Sequence, residues 1–166
     1  MQPIKSDGYI CAMQPKKNKI DFEASIAPWL GKTTKIVDYY IHEAMGVRNL
    51  DLTKEQMIVL KKLHDCDGLP QNELAFLTLR NKSSLTRLLV KMEKKDYITR
   101  EQSNKDKRIN HVFLTQLGKE TFKKTRPLIK EIIATMERNI SDTEKQQMIV
   151  LLQKIQFNFT STKPSI

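Results

Sequence analysis

Lysine and arginine side chains are concentrated in one stretch of the chain, residues 80–108. This stretch carries ten of them against four acidic residues, a net charge of +6. The 79 residues before it are neutral, and the whole chain of 166 residues has a net charge of +10. Positive charge clustered in this way is typical of a protein that binds a polyanion. The stretch is therefore the first candidate for a functional surface.

Within this stretch, a helix predicted from Asn81 as N-cap to about residue 95 has two different faces. At 100° per residue, one face collects apolar side chains, namely Leu85, Leu88, Leu89 and Met92. The other face collects hydroxyl and cationic side chains together with one valine: Ser83, Thr86, Arg87, Val90, Lys91 and Lys94. Short hydroxyls and long cations together reach base edges and phosphates, which is the composition of a groove-reading helix. Val90 either contacts a thymine methyl group or is a tolerated exposed valine.

A shorter helix precedes this one, so that the pair has the form of a helix-turn-helix. It is predicted over PQNELAFLTL, residues 70–79, with Leu74, Ala75 and Leu77 facing inward. The helix before it opens with a capping box at Thr53 and Gln56 and is predicted to end at Asp67-Gly68. Its inward side chains are predicted to be Met57, Leu60 and Leu63. A first helix over about 28–45 has Pro28 in its first turn and Gly46 as its stop.

Two strands are predicted after the basic helix, residues 97–102 and 109–115, because both are rich in β-forming residues. The segment between them, SNKDKR, has the polar and cationic composition of a hairpin loop. A basic hairpin directly after a helix-turn-helix is a wing. Its loop can reach a minor groove, where a cation meets enhanced negative potential.

The C-terminal third predicts two helices with wide apolar faces. A long helix begins at Thr115 and is expected to kink or break at Pro127. A capping box at Ser141 and Glu144 opens a last helix. Its apolar stripe comprises Met148, Leu151, Leu152, Ile155 and Phe159. Because a small winged lobe cannot cover so much apolar surface, mutual burial between two copies is expected.

Three stretches of the chain resemble the MarR/SlyA family of winged helix-turn-helix transcription regulators. They are LTKEQMIVLKKL (52–63), NELAFLTLRNKSSLTRLLVKMEKKDYITR (72–100) and NKDKRINHVFLTQLG (104–118). The last resembles the family's wing signature, Asp-x-Arg followed by Leu-Thr-x-x-Gly, and the resemblance covers roughly residues 28–158. One departure is Asp96, which stands where the family often has glycine between the recognition helix and the strand.

The resemblance implies a mainly α fold with a small β-hairpin wing and dimerisation helices on either side of it. It also implies a homodimer that grips a palindromic operator in double-stranded DNA. The residues expected to contact DNA lie on the recognition helix and in the wing loop, with Asp106 bracing the loop tip: Asn81, Lys82, Ser83, Ser84, Thr86, Arg87, Val90, Lys91, Lys94, Lys105, Asp106, Lys107 and Arg108.

These expectations divide the chain into three parts. Residues 1–24 form an N-terminal arm, residues 25–160 a MarR-like domain, and residues 161–166 a C-terminal tail. Within the domain, the winged lobe spans about 52–115, and the dimerisation helices span about 28–47 and 116–158.

The predicted function is that of a homodimeric, sequence-specific DNA-binding regulator, a repressor whose affinity changes with a small ligand, an oxidant or a partner protein. The alternative is a winged-helix module that docks an acidic protein partner. In the family, small aromatic effectors bind near the dimerisation helices. Trp29, Tyr39 and His42 are candidates to line such a site, although aromatic residues on an amphipathic helix more often belong to a core or an interface.

Other chemistry is disfavoured by the sequence. The run from His64 to Asp67 contains metal-ligand types, but neighbouring residues at a helix end rarely converge on one ion, so an ordinary polar turn is preferred. Cys11 is interpreted as a thiol without a redox function, in preference to a redox sensor. No catalytic motif, cofactor motif, signal peptide or membrane-spanning run is evident, so we expect a cytoplasmic protein that is not an enzyme and needs no cofactor.

Overall fold

The computed structural model describes residues 21–161, and over this range the chain is mainly helical with a small antiparallel sheet. The predicted fold class is therefore confirmed. The elements are α1 (Ile26–Val47), α2 (Lys54–Asp65), β1 (Leu69–Pro70), α3 (Gln71–Leu77), α4 (Lys82–Lys94), β2 (Ile98–Gln102), β3 (Asn110–Leu114), α5 (Gln116–Met136) and α6 (Asp142–Thr160). Most of the predicted N-terminal arm, including Cys11, lies outside the described residues, as does most of the tail.

The chain forms two compact units, one ending at Ile36 and the other beginning at Val37. In the first unit, the Asp21 carboxylate accepts hydrogen bonds from the backbone N–H groups of Glu23 and Ala24. These bonds fold the chain just before α1 begins. The second unit contains the remaining elements from the second half of α1 onward.

Helices α2, α3 and α4 pack with the sheet around one hydrophobic core in the second unit. Five of the seven side chains predicted to face inward from α2 and α4 are buried in it, namely Leu60, Leu63, Leu85, Leu89 and Met92. The other two, Met57 and Leu88, are half-buried and pack against its edge. Val59 is also fully buried. The prediction for Leu77 was wrong, because its side chain is 38% exposed. Helix α3 has only seven residues and buries the side between Leu74 and Ala75, which leaves Leu77 on its flank.

The three strands form a sheet in the order β1-β3-β2. The predicted hairpin is present, with Ile98 opposite Leu114 and Gln102 opposite Asn110. Strand β1 was not predicted, because it has only two residues and one of them is Pro70. It pairs antiparallel with β3, with Leu69 opposite Val112. This pairing ties the start of α3 to the wing.

Side-chain caps begin the helices where the sequence predicted them. The capping boxes at Thr53 and Ser141 are both complete, and Asn81 caps α4. Two predicted helix ends were wrong by about two residues. Helix α1 continues through Gly46 to Val47, and α2 ends at Asp65, before the left-handed turn at Gly68.

Helix α5 continues through Pro127 to Met136, so the predicted kink or break does not end the helix there. The buried side chains of Thr125 and Leu128 hold the helix against the core on both sides of the proline. Near its start, α5 packs closely on the lobe. A Cβ atom added to Gly118 would lie 2.0 Å from the Tyr97 carbonyl oxygen, so only glycine fits.

Helix α6 contains no buried residue. The predicted apolar stripe is solvent-exposed at Met148, Leu151 and Phe159 and half-buried at Leu152 and Ile155. Within residues 21–161, no helix has both the length and the apolar character needed to cross a bilayer.

Candidate nucleic-acid interface

The start of α4 is held by its own cap. The Asn81 side chain accepts a hydrogen bond of 2.8 Å from the Ser84 backbone N–H, and this bond satisfies a donor that the first turn leaves unpaired. The Arg80 guanidinium donates to the Ser84 hydroxyl at 3.0 Å. Arg80 and Asn81, just before α4, are therefore both hydrogen-bonded to Ser84 in its first turn.

The end of α4 is anchored to the loop between α1 and α2. The Lys95 ammonium donates to both the carbonyl and the carboxylate of Asp51, at 2.9 and 2.6 Å. The Tyr97 hydroxyl donates to the same carbonyl at 3.1 Å. Burial is the main cause that raises the pKa of Tyr97. Both contacts cross more than 40 residues of sequence and fix the direction of the helix.

An ion pair joins α4 to the wing. The Arg100 Nε atom on β2 donates to the Glu93 carboxylate at 3.2 Å, and a second guanidinium nitrogen contacts the same oxygen. This hydrogen bonding holds the pKa of Glu93 below its ordinary value. The recognition helix and the wing hairpin are thereby linked by a charged contact as well as by the core.

The outer face of α4 exposes one hydroxyl and three cations, namely Ser83, Arg87, Lys91 and Lys94. None of the three cations has an ion-pair partner within residues 21–161. Arg87 and Lys91 border a cleft of about 590 Å³ that extends to the start of α2. The cleft also contains Glu55, whose pKa is lowered chiefly by a hydrogen bond with Thr53. The surface thus offers uncompensated positive charge beside a single carboxylate.

Three other predicted residues on this helix are half-buried. The Thr86 hydroxyl donates to the Lys82 carbonyl at 2.8 Å and accepts from the Gln71 side chain at 2.7 Å. The Ser84 hydroxyl accepts from Arg80, as described above. Val90 is half-buried, so only part of its side chain faces solvent. The hydroxyls of Ser84 and Thr86 are thus already hydrogen-bonded within the protein, whereas Ser83 is exposed to solvent.

The wing loop presents Arg108, whose side chain is 95% exposed. Its backbone N–H donates to the Asp106 carboxylate at 2.9 Å. The Ser103 hydroxyl accepts from the N–H groups of Lys105 and Asp106, both at 3.3 Å. These short-range bonds shape the loop, and the cationic side chains of Lys105, Lys107 and Arg108 are all exposed.

Sequence reasoning missed the residues that join the helix-turn-helix to the wing. A small cavity of about 40 Å³ brings Gln71 and Asn72 of α3 together with Lys82 of α4 and Arg108 of the wing. Asn110 of β3 also lines it. The polar pair Gln71-Asn72 after Pro70 was the available signal, but its partners come from two other elements. These amides are the added candidates for phosphate contacts.

Two turns around α4 have left-handed backbone conformations. Asp96, which stands where the family often has glycine, has a φ of 55°, and the fold is unchanged as expected. Leu79 has a φ of 52° and is 93% exposed. Non-glycine residues adopt this conformation at a cost of about 1–2 kcal/mol. Both ends of the recognition helix are therefore bounded by mildly strained turns.

The candidate effector residues lie in separate surroundings. In the first unit, the Trp29 indole donates to the Glu23 carbonyl at 3.2 Å. In the second, Tyr39 packs edge-on against Tyr40 with ring centroids 5.7 Å apart. His42 lines a cavity of about 180 Å³ to which Tyr39 does not contribute. Their role in ligand binding stays a prediction.

In the run from His64 to Asp67, the first two residues end α2, and Cys66 and Asp67 lie in the turn after it. The His64 ring packs on Phe122 at 4.8 Å, and the Asp67 carboxylate accepts from the Leu114 N–H at 2.8 Å. Among residues 21–161, no group of three His, Cys, Asp or Glu side chains is arranged to hold a metal ion.

A helix-turn-helix followed by a basic hairpin defines a winged helix-turn-helix protein, and comparison with known proteins identifies its family. The MarR family profile matches residues 52–109. The transcriptional regulator SarZ of Staphylococcus aureus is 33% identical over 104 residues, which are 62% of this chain and 68% of SarZ. The chain therefore belongs to the MarR family of transcription regulators, as the resemblance predicted.

Solved structures agree with this assignment. A MarR-family regulator from Silicibacter pomeroyi is 25% identical, with a TM-score of 0.65 over 80% of this chain and 88% of the other. The S. aureus MepR–DNA complex is 24% identical, with a TM-score of 0.76 over 81% of this chain and 98% of that one. The second comparison shows that the fold matches a protein solved on DNA.

Proposed function

We propose that this protein is a homodimeric, sequence-specific DNA-binding regulator that represses transcription from a palindromic operator. The observation that carries the proposal is the exposed, unpaired cationic face of α4 beside the exposed wing arginine. Arg87, Lys91 and Lys94 of α4 and Arg108 of the loop all face solvent on elements that are clamped together. Such rigidity favours DNA binding, since little order has to be gained on contact.

The residues divide into two kinds of contact. Ser83 and Arg87 are proposed to read base edges in the major groove, because an exposed hydroxyl and a forked guanidinium supply directional donors. Lys82, Lys91, Lys94, Lys105 and Lys107 are proposed to bind phosphates. Arg108 is proposed to enter the neighbouring minor groove, with Asp106 holding the loop backbone. Thr86 is proposed to act chiefly through Gln71, which it already contacts.

The dimer is supported by the apolar surface of α6. No side chain of that helix is buried, and Met148, Val150 and Leu151 are each more than half exposed. A second copy would remove this surface from water. It would also set two recognition helices apart, and these must lie about 34 Å from each other to enter successive major grooves.

Regulation follows from that spacing. DNA binds only the state in which the two recognition helices match the groove repeat. A small ligand, an oxidant or a partner protein that favours another spacing would therefore release the operator.

Selection of bound duplexes from a random library, followed by a salt titration, tests the proposal. A palindromic consensus is expected, and the logarithm of the binding constant should fall with log salt by about 0.9 per phosphate neutralised. If no duplex is bound even at low salt, DNA binding is refuted.

A second candidate function is docking of an acidic protein partner through the same lobe. It is favoured by Phe76 and Leu79, which are 79% and 93% exposed beside the helix-turn-helix. Replacing both with serine should leave duplex affinity unchanged if DNA is the partner. The docking alternative would be supported if the unaltered chain binds an acidic protein but no duplex, and the double serine variant no longer binds that protein.

A further inference from the structure

A row of cationic side chains runs along α5, outside the recognition helix and the wing loop. Its members are spaced four, three and four residues apart, so they lie within about 60° of one another round the helix. All are exposed, and we call the row the α5 stripe: Lys119, Lys123, Arg126 and Lys130. A helix rises about 1.5 Å per residue, so the stripe is about 16 Å long.

The α5 stripe does not contribute to the hydrophobic core. The buried side chains of α5 lie on another face and include Phe122, Thr125 and Leu128. The first three cations of the stripe pass the ends of α2 and β3, where they border a cavity with Leu63 and Leu114. The stripe is therefore a surface feature whose charges can be removed without loss of core packing.

Little of the charge on the stripe is neutralised within the chain. The Lys119 ammonium lies 3.6 Å from the Asp67 carboxylate. Lys123, Arg126 and Lys130 are exposed and have no ion-pair partner among residues 21–161. Cations on one helix face repel one another. A partner with matching negative charge would turn this repulsion into attraction.

Carboxylates border the α5 stripe on both sides. Glu120 and Glu131 each follow a stripe residue in the sequence, so they lie about 100° further round the helix. Both are exposed, and Glu120 accepts from the Gln116 side chain at 2.8 Å, while Glu131 pairs with Arg48. Asp67 lies along the opposite edge. The band of positive charge is therefore narrow.

A narrow band between acidic edges favours one kind of polyanion over another. Duplex DNA carries phosphates on both strands, one charge per about 1.7 Å of its axis, so phosphates beside the stripe would meet Glu120 and Glu131. An α-helix with one row of carboxylates brings negative charge to the stripe alone. Carboxylates spaced four, three and four residues apart rise by about 6, 4.5 and 6 Å, as the cations do. This spacing is the same in both directions, so the two helices match in either orientation.

We propose that the α5 stripe docks an acidic helix of a partner protein, with carboxylates spaced four, three and four residues apart. Arg126 supplies paired donors to one carboxylate, and the three lysines supply point charges. A second copy of this chain does not fit, because no helix described within residues 21–161 has more than two acidic residues. The inference goes beyond the proposed DNA binding and does not depend on it, since the stripe lies outside α4, the wing loop and the exposed pair Phe76 and Leu79.

Fluorescence anisotropy of the full chain with two labelled peptides tests the docking, at fixed low ionic strength. Both peptides are stapled, alanine-based helices with the same four glutamates. The first has them at the spacing of the stripe, and the second has them evenly around the helix. The first should bind saturably and about tenfold or more tightly, a difference of about 1.4 kcal/mol, because only it can pair with all four cations at once. Equal affinity for the two peptides, or no saturable binding of the first, overturns the proposal.

Paired variants locate the binding on the chain. Lys123→Gln with Arg126→Gln should weaken binding of the first peptide about fivefold or more, because two of the four ion pairs are lost. The control pair, Lys124→Gln with Arg138→Gln, removes two exposed cations that lie off the stripe and should change the affinity less than about twofold. Equal losses in the two pairs would show general charge attraction and overturn the docking. Lys123→Gln with Lys130→Gln replaces the first pair if circular dichroism shows that it is unfolded.

A third pair separates the stripe from the proposed DNA surface. Arg87→Gln with Lys91→Gln, on the outer face of α4, should weaken duplex binding and leave the affinity for the first peptide within about twofold. A larger loss of peptide affinity here than in the stripe pair would place the peptide on the DNA surface and overturn the inference. A larger loss of duplex affinity in the stripe pair than in the α4 pair would assign the stripe to DNA and also overturn it.

The unaltered chain distinguishes failure of this inference from failure of the proposed function. If it binds the first peptide in preference to the second but binds no duplex, the proposed function alone is refuted. If it binds duplex but does not distinguish the two peptides, this inference alone is refuted.

Discussion

The winged lobe and helix α6 differ in how far their leucine side chains are buried. In the lobe, Leu60, Leu85 and Leu89 are fully buried by neighbours from the same chain. In α6, Leu151 is more than half exposed, although its helix is capped as well as any in the lobe. In this protein a segment can therefore form a capped helix without burying its apolar side chains within the same chain. The capping box begins α6, but only another surface can cover it.

The same contrast exists within the lobe, on the two faces of α4. Its inner face supplies three fully buried side chains to the core, whereas its outer face leaves Arg87 and Lys91 in solvent. The inner face of α4 contributes to the stability of the lobe, and the outer face is the one proposed to bind DNA. Substitutions on the two faces should therefore affect different measurements.

The largest effect is expected from Leu89→Ala. Removing a fully buried leucine leaves a cavity that costs about 2–5 kcal/mol. The free energy of unfolding should fall by that amount in urea denaturation. A loss below about 1 kcal/mol would mean that the lobe is packed less tightly than its burial indicates.

The matched substitution in α6, Leu151→Ala, should act on association. Burial of a leucine against a second copy contributes about 1.5–3 kcal/mol, and this contribution would be lost from dimerisation. Sedimentation should show dissociation at a higher protein concentration, while the circular dichroism spectrum of the folded chain is retained. An unchanged association constant would place the dimer contact elsewhere.

Arg87→Ala tests the outer face of α4. If this guanidinium reads a guanine, affinity for the selected duplex should fall by about 1–3 kcal/mol. Unfolding should change by less than about 0.5 kcal/mol, as is usual for exposed positions. An equal loss of affinity for random DNA would mean that Arg87 contacts a phosphate and does not read a base.

The smallest effect is expected from Asp96→Gly in the turn between α4 and β2. Glycine adopts the left-handed conformation without strain, so the lobe should gain about 0.5–1 kcal/mol. Asp96→Ala serves as the control and should destabilise the lobe. If both variants lose stability, the Asp96 carboxylate contributes more than its backbone conformation costs.

Much of the candidate site could be predicted from the sequence. The cationic outer face of α4 and the wing loop were located by residue type and by a spacing of 100° per residue. The hydrogen-bond partners of the hydroxyl groups could not be predicted in the same way. Thr86 was expected to face bases, but Gln71, fifteen residues earlier, donates a hydrogen bond to it. No pattern in either segment indicates that contact, because it depends on how α3 crosses α4.

Helix beginnings show what the sequence by itself determined. Thr53, Asn81 and Ser141 each bind backbone N–H groups three residues ahead, so every partner lies within one helical turn. Apolar spacing on α4 is equally local. These features follow from short-range hydrogen bonds and helical geometry, which act before any tertiary contact forms.

Only the tertiary structure decided the features whose partners are distant in the chain. Strand β1 exists because β3, more than 40 residues later, supplies its hydrogen bonds. Leu77 is exposed because α3 buries another side, and α5 continues through Pro127 because the core holds both of its flanks. The cavity between Leu63, Leu114 and the α5 cations likewise requires three elements to meet. Each depends on packing between segments, which local pattern does not encode.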